Sequence, residues 1–413
     1  MSEYIVFYKN QGVYYYYNGE EYKTTKTIHQ VKMNQFELHH SYDESNEGLK
    51  TYYENMKVWS EQIKSKFTKC KFDYLSKYND MIASVHFCMM YIKKYIQTHD
   101  EITFTEQNWI EKCYNTGLQS CKPQDKAIKL YSYDGKGFYQ YVLSSEDFLI
   151  PDKEGYETTL NELPKRKELK HGFYHVKITS ENPNANMVFA FSPEHTYYYY
   201  DLYFAMKHKK ALDFKIELFQ DNEPNAYLYD SLIKSSDIFC KWNTTINELK
   251  KEFPENKLLK NLGSKVWGKL VEFNHYIVEG SELDKNFDKY KDCNIIRTKI
   301  YGAYEEADYR EVHYVQDEAK PYKYNIRLKA QLTSYGRSLV SNYAIENIDN
   351  LVRIHTDSMS FTQPWKELDK KIFKKEEKTS GLVQFKKCND CWHECWKCHT
   401  QFKWEQYQNH KCW

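Results

Sequence analysis

The chain has 413 residues, with 59 Lys plus Arg against 58 Asp plus Glu and a formal net charge of +1. That length exceeds one ordinary hydrophobic core and predicts two to four subdomains. Near-neutrality excludes a globally polycationic binder, so a nucleic-acid partner would have to be met by local basic surfaces. No apolar stretch approaches the roughly 20 residues that span a bilayer, and the N-terminal Met-Ser-Glu-Tyr-Ile-Val lacks the basic and apolar regions of a secretion signal. The expectation is a protein that is not secreted and has no membrane partner.

Only six of the basic residues are Arg (166, 297, 310, 327, 337 and 353), and Tyr reaches 39. This bias suggests AT-rich coding DNA, so the Tyr runs at 14–17 and 197–200 read as compositional before they read as base-stacking devices. Six of the eleven Cys are scattered, and five fall within 388–412. That pattern favours a reducing compartment and a metal module over a disulfide framework.

In chain order, residues 1–30 alternate aromatic and polar positions around Asn10-Gln11-Gly12 and Asn18-Gly19, which predicts small hairpins. From about 45 to 120 the pattern is helical, with Met81, Val85, Cys88, Met89, Ile92 and Ile96 on one apolar face. Residues 127–140 read as a strand ending in Tyr133-Asp134-Gly135-Lys136-Gly137-Phe138-Tyr139, and 172–178 and 187–191 as further strands. Residues 228–272 predict paired helices with a turn at Pro254-Glu255-Asn256, and 278–325 loop and edge-strand material. A helix over 331–347 and a strand–turn–strand over 351–361, carrying Ile354-His355-Thr356-Asp357-Ser358, complete the series.

The two segments around Asp134 and Asp357 each offer one carboxylate in an apolar, aromatic setting. Mg²⁺ at substrate phosphates takes only one or two protein carboxylates, the rest of its shell being water and phosphate oxygen. Two such ions drive in-line displacement at phosphorus. One Asp from each of two distant strands is therefore a candidate nucleotidyl-transfer pair.

The order of carboxylate strand, basic helix and carboxylate hairpin resembles the family B DNA polymerases, particularly their protein-primed viral branch. The first palm motif of that family is Asp-x-x-Ser-Leu-Tyr-Pro; here Asp134-Gly-Lys-Gly137-Phe138-Tyr139-Gln140 keeps the Asp and the Tyr. The finger motif Lys-x-x-x-Asn-Ser-x-Tyr-Gly is matched by Lys260-Asn-Leu-Gly-Ser264-Lys265-Val266-Trp267-Gly268. The motif Tyr-x-Asp-Thr-Asp-Ser is matched by Arg353-Ile354-His355-Thr356-Asp357-Ser358, with His355 in place of the first Asp. Leu332-Thr-Ser-Tyr335-Gly-Arg337 is similar to the Ile-Thr-Ala-Tyr-Ala-Arg helix upstream of it.

The resemblance implies that Asp134 and Asp357 hold Mg²⁺ or Mn²⁺, and that Tyr139 lies beneath the incoming sugar and rejects a 2′-hydroxyl. On a helix, Lys260, Ser264 and Trp267 at i, i+4 and i+7 share one face and form a triphosphate-and-base platform, with Gly268 letting the backbone approach the nascent pair. It covers roughly residues 105–385. No Asp-x-Glu exonuclease strand precedes it, and Asp80 stands alone among helical residues, so proofreading is not expected.

The tail runs Cys388-Asn-Asp-Cys391-Trp-His393-Glu-Cys395-Trp-Lys-Cys398 and ends His410-Lys-Cys412-Trp413. Cys395, Cys398, His410 and Cys412 have the spacing of a small zinc finger, with Cys388 and Cys391 as an alternative first pair. The four Cys at 388, 391, 395 and 398 could instead hold an iron–sulfur cluster.

The whole predicts an α+β, right-hand polymerase: an N-terminal region of hairpins then helices (1–104, a possible exonuclease-domain relic), palm (105–227 and 276–362), fingers (228–275), short thumb (363–386) and a zinc module (387–413). The expected function is template-directed, two-metal DNA polymerisation without proofreading, with primer-template DNA, deoxynucleotides and a terminal or replication protein as partners. The expected place is the cytoplasm or a viral replication compartment. Two rivals stand beside it: a polymerase-derived nucleic-acid-binding protein without catalysis, and an interaction factor whose functional unit is the zinc tail.

Overall fold

A computed structural model describes residues 4–9, 13–17, 22–25, 35–38, 46–69, 72–77, 79–221, 223–291, 293–301, 310–383, 392–394 and 401–403. The chain divides into two compact units, one of residues 1–99 with 235–326, the other of residues 100–234 with 327–413. The sequence crosses between them three times.

The first unit opens with β1 (Tyr4–Lys9), β2 (Val13–Tyr17), β3 (Tyr22–Thr25) and β4 (Gln35–Leu38), in the order β3-β2-β1-β4. β1–β2 and β2–β3 are the antiparallel hairpins expected from the alternation, and β4 joins β1 in parallel. α1 (Asn46–Lys66) and α2 (Asp80–Thr98) follow. Asn79 caps α2, its side chain accepting from the Ile82 amide and satisfying a donor that the helix leaves open. The α2 stripe buries Val85, Cys88, Ile92 and Ile96 as expected, but Ala83 and Phe87 lie in it while Met81 is exposed.

The second unit then begins with α3 (Phe104–Lys112), β5 (Gln119–Cys121), β6 (Ile128–Gly135), α4 (Phe138–Leu143), β7 (Leu149–Pro151), β8 (Tyr156–Thr158) and β9 (Gly172–Thr179). It continues with α5 (Ala185–Val188), β10 (Thr196–Tyr198), α6 (Tyr199–Lys207), β11 (Lys215–Leu218), β12 (Ala226–Leu228) and β13 (Leu232–Lys234). The chain re-enters the first unit through α7 (Ser235–Glu252), α8 (Leu258–Ser264), α9 (Val266–Leu270), β14 (His275–Glu279), α10 (Gly280–Lys285), α11 (Phe287–Tyr290), β15 (Ile295–Tyr301) and β16 (Arg310–Gln316). It closes in the second unit with α12 (Lys329–Ile345), β17 (Leu351–His355), β18 (Ser358–Phe361), β19 (Phe373–Val383), β20 (Trp392–Glu394) and β21 (Gln401–Lys403).

In the first unit α7 buries Ile238, Phe239, Trp242, Ile246 and Leu249 at helical spacing, and α2 packs on α7, α8 and α9. The predicted turn after α7 is pinned by Asn256. Its Nδ2 donates to the Trp59 carbonyl at 2.9 Å, and its Oδ1 accepts from the Leu258 amide at 3.1 Å. Residues 278–325 hold more order than their charge suggested: β14, β16 and β15 form an antiparallel sheet around Val278, Tyr290 and Val315. One apolar face with a polar opposite face is enough for a half-buried strand, and the polar face masked it in the sequence.

In the second unit the antiparallel sheet β19-β6-β18-β17-β5 is flanked by helices, with α12 packing on α3, α4, α5 and α6. A second sheet, β10-β9-β12-β8 with β11 on β9, buries Phe173, Tyr174, Tyr197, Tyr198 and Tyr227 completely or almost so. The Tyr run at 197–200 therefore is core for three of its four rings. Tyr197 Oη accepts from the Ser192 amide and Tyr200 Oη from the Leu149 amide, which makes burial of these phenols tolerable. The strand expected at 187–191 is instead the short α5. The side chains of Ser180 and Asn182 accept from the backbone two residues on and set a turn before it.

Buried ion pairs tie the helices of this unit together. Thr103 caps α3 through the Glu106 amide, but the Glu106 carboxylate turns inward and accepts from Arg327 Nε at 2.7 Å and Nη2 at 2.9 Å. Arg337 of α12 donates to both carboxylate oxygens of Asp201 in α6, at 3.0 and 2.6 Å, and to the Thr116 carbonyl.

Candidate active site

Asp134 is the penultimate residue of β6 and lies directly across from Ser358, the first residue of β18. β17 and β18 close with His355 opposite Ser358, which leaves Thr356 and Asp357 as a two-residue hairpin loop. Thr356 has φ 60° while Asp357 does not take a positive φ, the pattern of a type II′ turn, where Gly is the usual first residue. A β-branched residue there stores about 1–3 kcal/mol of strain. The Thr356 amide donates to the Leu118 carbonyl at 2.7 Å, and Gly117 makes room for the side chain, since a Cβ there would lie 2.6 Å from Thr356 Cγ2.

Gly135 brings the two carboxylate segments together. Its amide donates to the Asp357 carbonyl at 3.0 Å, and a Cβ on it would stand 2.8 Å from Phe138 Cβ and 3.2 Å from Asp357 Cβ. The Asp357 carboxyl is pushed up to about 6, by burial first and by the neighbouring Asp134 second. Two like charges in a partly dry turn raise the cost of ionising both, which a cation would relieve. Lys374 of β19, paired in register with Asp134, places its ammonium 3.9 Å from Asp134 Oδ2.

Tyr139 follows in the first turn of α4. Its ring packs edge-on to Phe138 at 5.5 Å and over Gly336 of α12, where a Cβ would lie 3.4 Å from Tyr139 Cε1. Burial pushes its hydroxyl up to about 12, so it is a neutral phenol near the carboxylates. His355 is exposed beside the turn, and desolvation and then Arg353 hold it below the ordinary histidine value.

The sequence-predicted finger residues belong to the first unit. Lys260 is exposed on α8, and Ser264 ends that helix with its hydroxyl donating to the Lys260 carbonyl at 3.0 Å. Lys265 is both the C-cap of α8 and the N-cap of α9, so the predicted face is interrupted between Ser264 and Trp267. Ser264, Lys265, Trp267 and Gly268 line a cavity of about 420 Å³ with Asn79, Asp80 and Met81, and Lys260 is not on it. Lys265 Nζ pairs with the buried Asp80 at 2.7 Å, and Tyr74 donates to the other Asp80 oxygen at 2.7 Å.

No family model matches the chain, and neither does any curated protein. Solved structures do match. Phi29 DNA polymerase complexed with single-stranded DNA aligns with a TM-score of 0.54 at 12% identity, over 88% of this chain and 79% of that one. Phi29 DNA polymerase in an orthorhombic crystal form gives 0.50 at 12%, over 77% and 52%. The chain has a Phi29-polymerase-like fold. It spans about half the length of the polymerase in the orthorhombic form.

Within this polymerase-like fold the α+β architecture with antiparallel sheets stands as expected, and Asp134, Tyr139 and Asp357 come together in one unit. Lys374 was missed, because the run Lys374-Lys375-Glu376 reads as a solvated surface until β19 is seen to pair with β6. Arg337 and Asp201 were missed as a pair for want of any local pattern linking positions so far apart. Among the described residues no three His, Cys, Asp or Glu cluster as a metal site. The tail residues Cys388, Cys391, Cys395, Cys398, His410 and Cys412 lie outside the described residues.

Proposed function

We propose that the chain is a template-directed DNA polymerase that adds deoxynucleotides at Asp134 and Asp357. The observation that carries this reading is the juxtaposition of the two carboxylates across β6 and the Thr356–Asp357 turn, where burial first and Asp134 second raise Asp357. A donor set of two hard carboxylates fits Mg²⁺ or Mn²⁺ completed by water and phosphate oxygen. Divalent cations bound there would supply activation of the primer 3′-hydroxyl and neutralisation of the pyrophosphate leaving group.

The protein's own residues do the rest. Lys374 limits the negative charge facing the incoming phosphates. The half-buried Tyr139 ring, backed by Gly336, is a rigid floor that selects against a 2′-hydroxyl. Lys260, Ser264, Trp267 and Gly268 act from the fingers (228–275), the palm being 105–227 with 276–362 and the thumb 363–386. Primer-template DNA and deoxynucleotides are the substrates, and a terminal or replication protein is a partner. Proofreading is absent in this reading, since Asp80 is committed to Tyr74 and Lys265. The setting is the cytoplasm or a viral replication compartment.

Primer extension with Mg²⁺ or Mn²⁺ tests it. Wild type should extend a primer, and Tyr139→Val should raise ribonucleotide use relative to deoxynucleotide use by about tenfold or more, the scale of one lost steric contact. Single-strand degradation abolished by Asp80→Asn would overturn the absence of proofreading. The second reading, a polymerase-derived nucleic-acid-binding protein without catalysis, is favoured by the Ser264 hydroxyl, which is turned back onto the Lys260 carbonyl. Tight DNA binding with no incorporation on any primer would select it.

For the tail, we propose one structural Zn²⁺ held by Cys395, Cys398, His410 and Cys412, with Cys388 and Cys391 as the alternative pair. Elemental analysis of the purified chain should find one zinc per chain, lost in the Cys395→Ser, Cys398→Ser variant. Iron in its place would reject this assignment, and a variant without residues 386–413 that loses all DNA binding and incorporation would make the tail the functional unit.

A further inference from the structure

The second unit carries a cationic surface that the carboxylate site does not use. Lys165 and Lys167 are exposed in the turn over 165–168, with Arg166 between them, and Lys207, Lys209 and Lys210 are exposed at and just after the end of α6. The two segments meet in space. Arg166 lies over the Tyr203 ring of α6, with 5.4 Å from guanidinium carbon to centroid. Burial first, then Lys207 and Arg166, lower His208 from the ordinary histidine value; His208 Nε2 and Lys207 Nζ lie 3.2 and 2.7 Å from Asn342 Oδ1.

Among the described residues these lysines form no ion pairs, whereas lysines around them do. Lys170, Lys215 and Lys234 each pair with a carboxylate, Asp230, Glu181 and Glu146, at 2.9, 2.9 and 3.2 Å. Lys165, Lys167, Lys209 and Lys210 have no carboxylate within ion-pair distance among the described residues. Glu168, in the same turn as the first two, forms no ion pair with them. Unpaired cations on a folded surface hold solvent anions, and a polyanion that displaces them gains the entropy of their release.

A row of planar groups borders the cations. His171 stacks on Tyr199 at 3.8 Å and 20°, Tyr199 lies 5.6 Å from Tyr203 at 34°, and Arg166 covers Tyr203. Tyr199 and Tyr203 are both partly exposed, unlike the buried Tyr197, Tyr198 and Tyr200 beside them in sequence. Rings locked by their neighbours give unpaired bases a stacking partner at small entropic cost, whereas bases in a duplex already stack on one another.

We propose that this surface of the 165–171 segment and the end of α6 binds single-stranded nucleic acid, the lysines taking the phosphates and the Tyr199–Tyr203–Arg166 row the unpaired bases. The site is additional to the polymerase reading and does not depend on it.

The test uses the full chain and a labelled oligodeoxythymidine of about 16 nucleotides, enough to fill one site. Binding is titrated against salt for wild type, for Lys165→Gln with Lys167→Gln, Lys209→Gln and Lys210→Gln, and for Tyr203→Leu. The fourfold variant should bind at least about tenfold more weakly, and its slope of log affinity against log salt should be shallower by about 2–3, since each phosphate contact on a single strand contributes about 0.7. Tyr203→Leu should weaken single-strand binding several-fold with the slope unchanged, and leave binding to a duplex of equal length as it was. Unchanged affinity and slope in a fourfold variant that melts like wild type would overturn the site. Equal losses on duplex and single strand, with Tyr203→Leu silent, would overturn its single-strand character. Extension of a primer with a one-nucleotide template overhang by the fourfold variant should match wild type, which separates this outcome from failure of the polymerase reading.

Discussion

Asp357→Asn is expected to raise the melting temperature of the metal-free protein at neutral pH by a few degrees while reducing nucleotide incorporation by at least about a thousandfold, the scale of losing a group that stabilises transition-state charge. The Asp357 carboxyl is raised from 3.8 to about 6 in the folded chain by burial and by Asp134. Its folded value lies above its unfolded value, so the folded protein binds more protons between the two. Stability therefore falls as pH rises through that window, and the full loss is present above about 6. A shift of this size corresponds to a cost on the order of 2–3 kcal/mol. Asparagine removes the charge and with it the cost, so its advantage should be complete at neutral pH and vanish below about 4. Mg²⁺ should raise the melting temperature of wild type and leave Asp357→Asn nearly unmoved. Thermal melts at both pH values, with chelator and with Mg²⁺, read all of this, and equal metal responses in the two proteins would refute the metal-pair reading.

The second large effect is on stability. Arg337→Met leaves the Asp201 carboxylate buried without its cation, which should cost about 3–5 kcal/mol in denaturant unfolding at unchanged m-value. The charges are 2.6 Å apart and almost fully buried, so solvent cannot replace the lost partner. Arg337→Met combined with Asp201→Leu should recover most of the loss, because no unpaired charge remains. It should not recover the hydrogen bond from Arg337 to the Thr116 carbonyl, one residue before the Gly117 that accommodates Thr356. Incorporation by the double variant should therefore stay below wild type even when its stability returns. A double variant as unstable as Arg337→Met would show that packing, not charge, holds α12 to α6.

The elements that sequence reading placed well are those whose periodicity is local. α2, α7 and α12 carry apolar residues at three- and four-residue spacing, and β6 and the β17–β18 hairpin alternate or end at turn residues. Elements were misjudged where a neighbour supplied the deciding contact. β14, β15 and β16 belong to a stretch read as polar and charged and become a sheet around Val278, Tyr290 and Val315. The Tyr197–Tyr200 run looks like compositional excess, yet three of its rings are core and Tyr199 is held by His171.

The same division applies to the candidate site. Asp134, Tyr139 and Asp357 were legible because each sits in a short segment of defined spacing, with Gly135 beside one and a turn around another. That Lys374 stands beside Asp134, that Ser264 is bonded back to its own helix, and that Asp80 neutralises Lys265 were not legible. By itself the sequence determined the helices and strands that obey a local period, and the residue types able to hold metal and phosphate. Tertiary structure alone decided which charges are paired, which rings are buried and how costly it is to ionise Asp357. Those quantities depend on through-space distance and on exclusion of water, and residues such as Arg337 and Asp201, far apart along the chain, acquire both only when the fold closes.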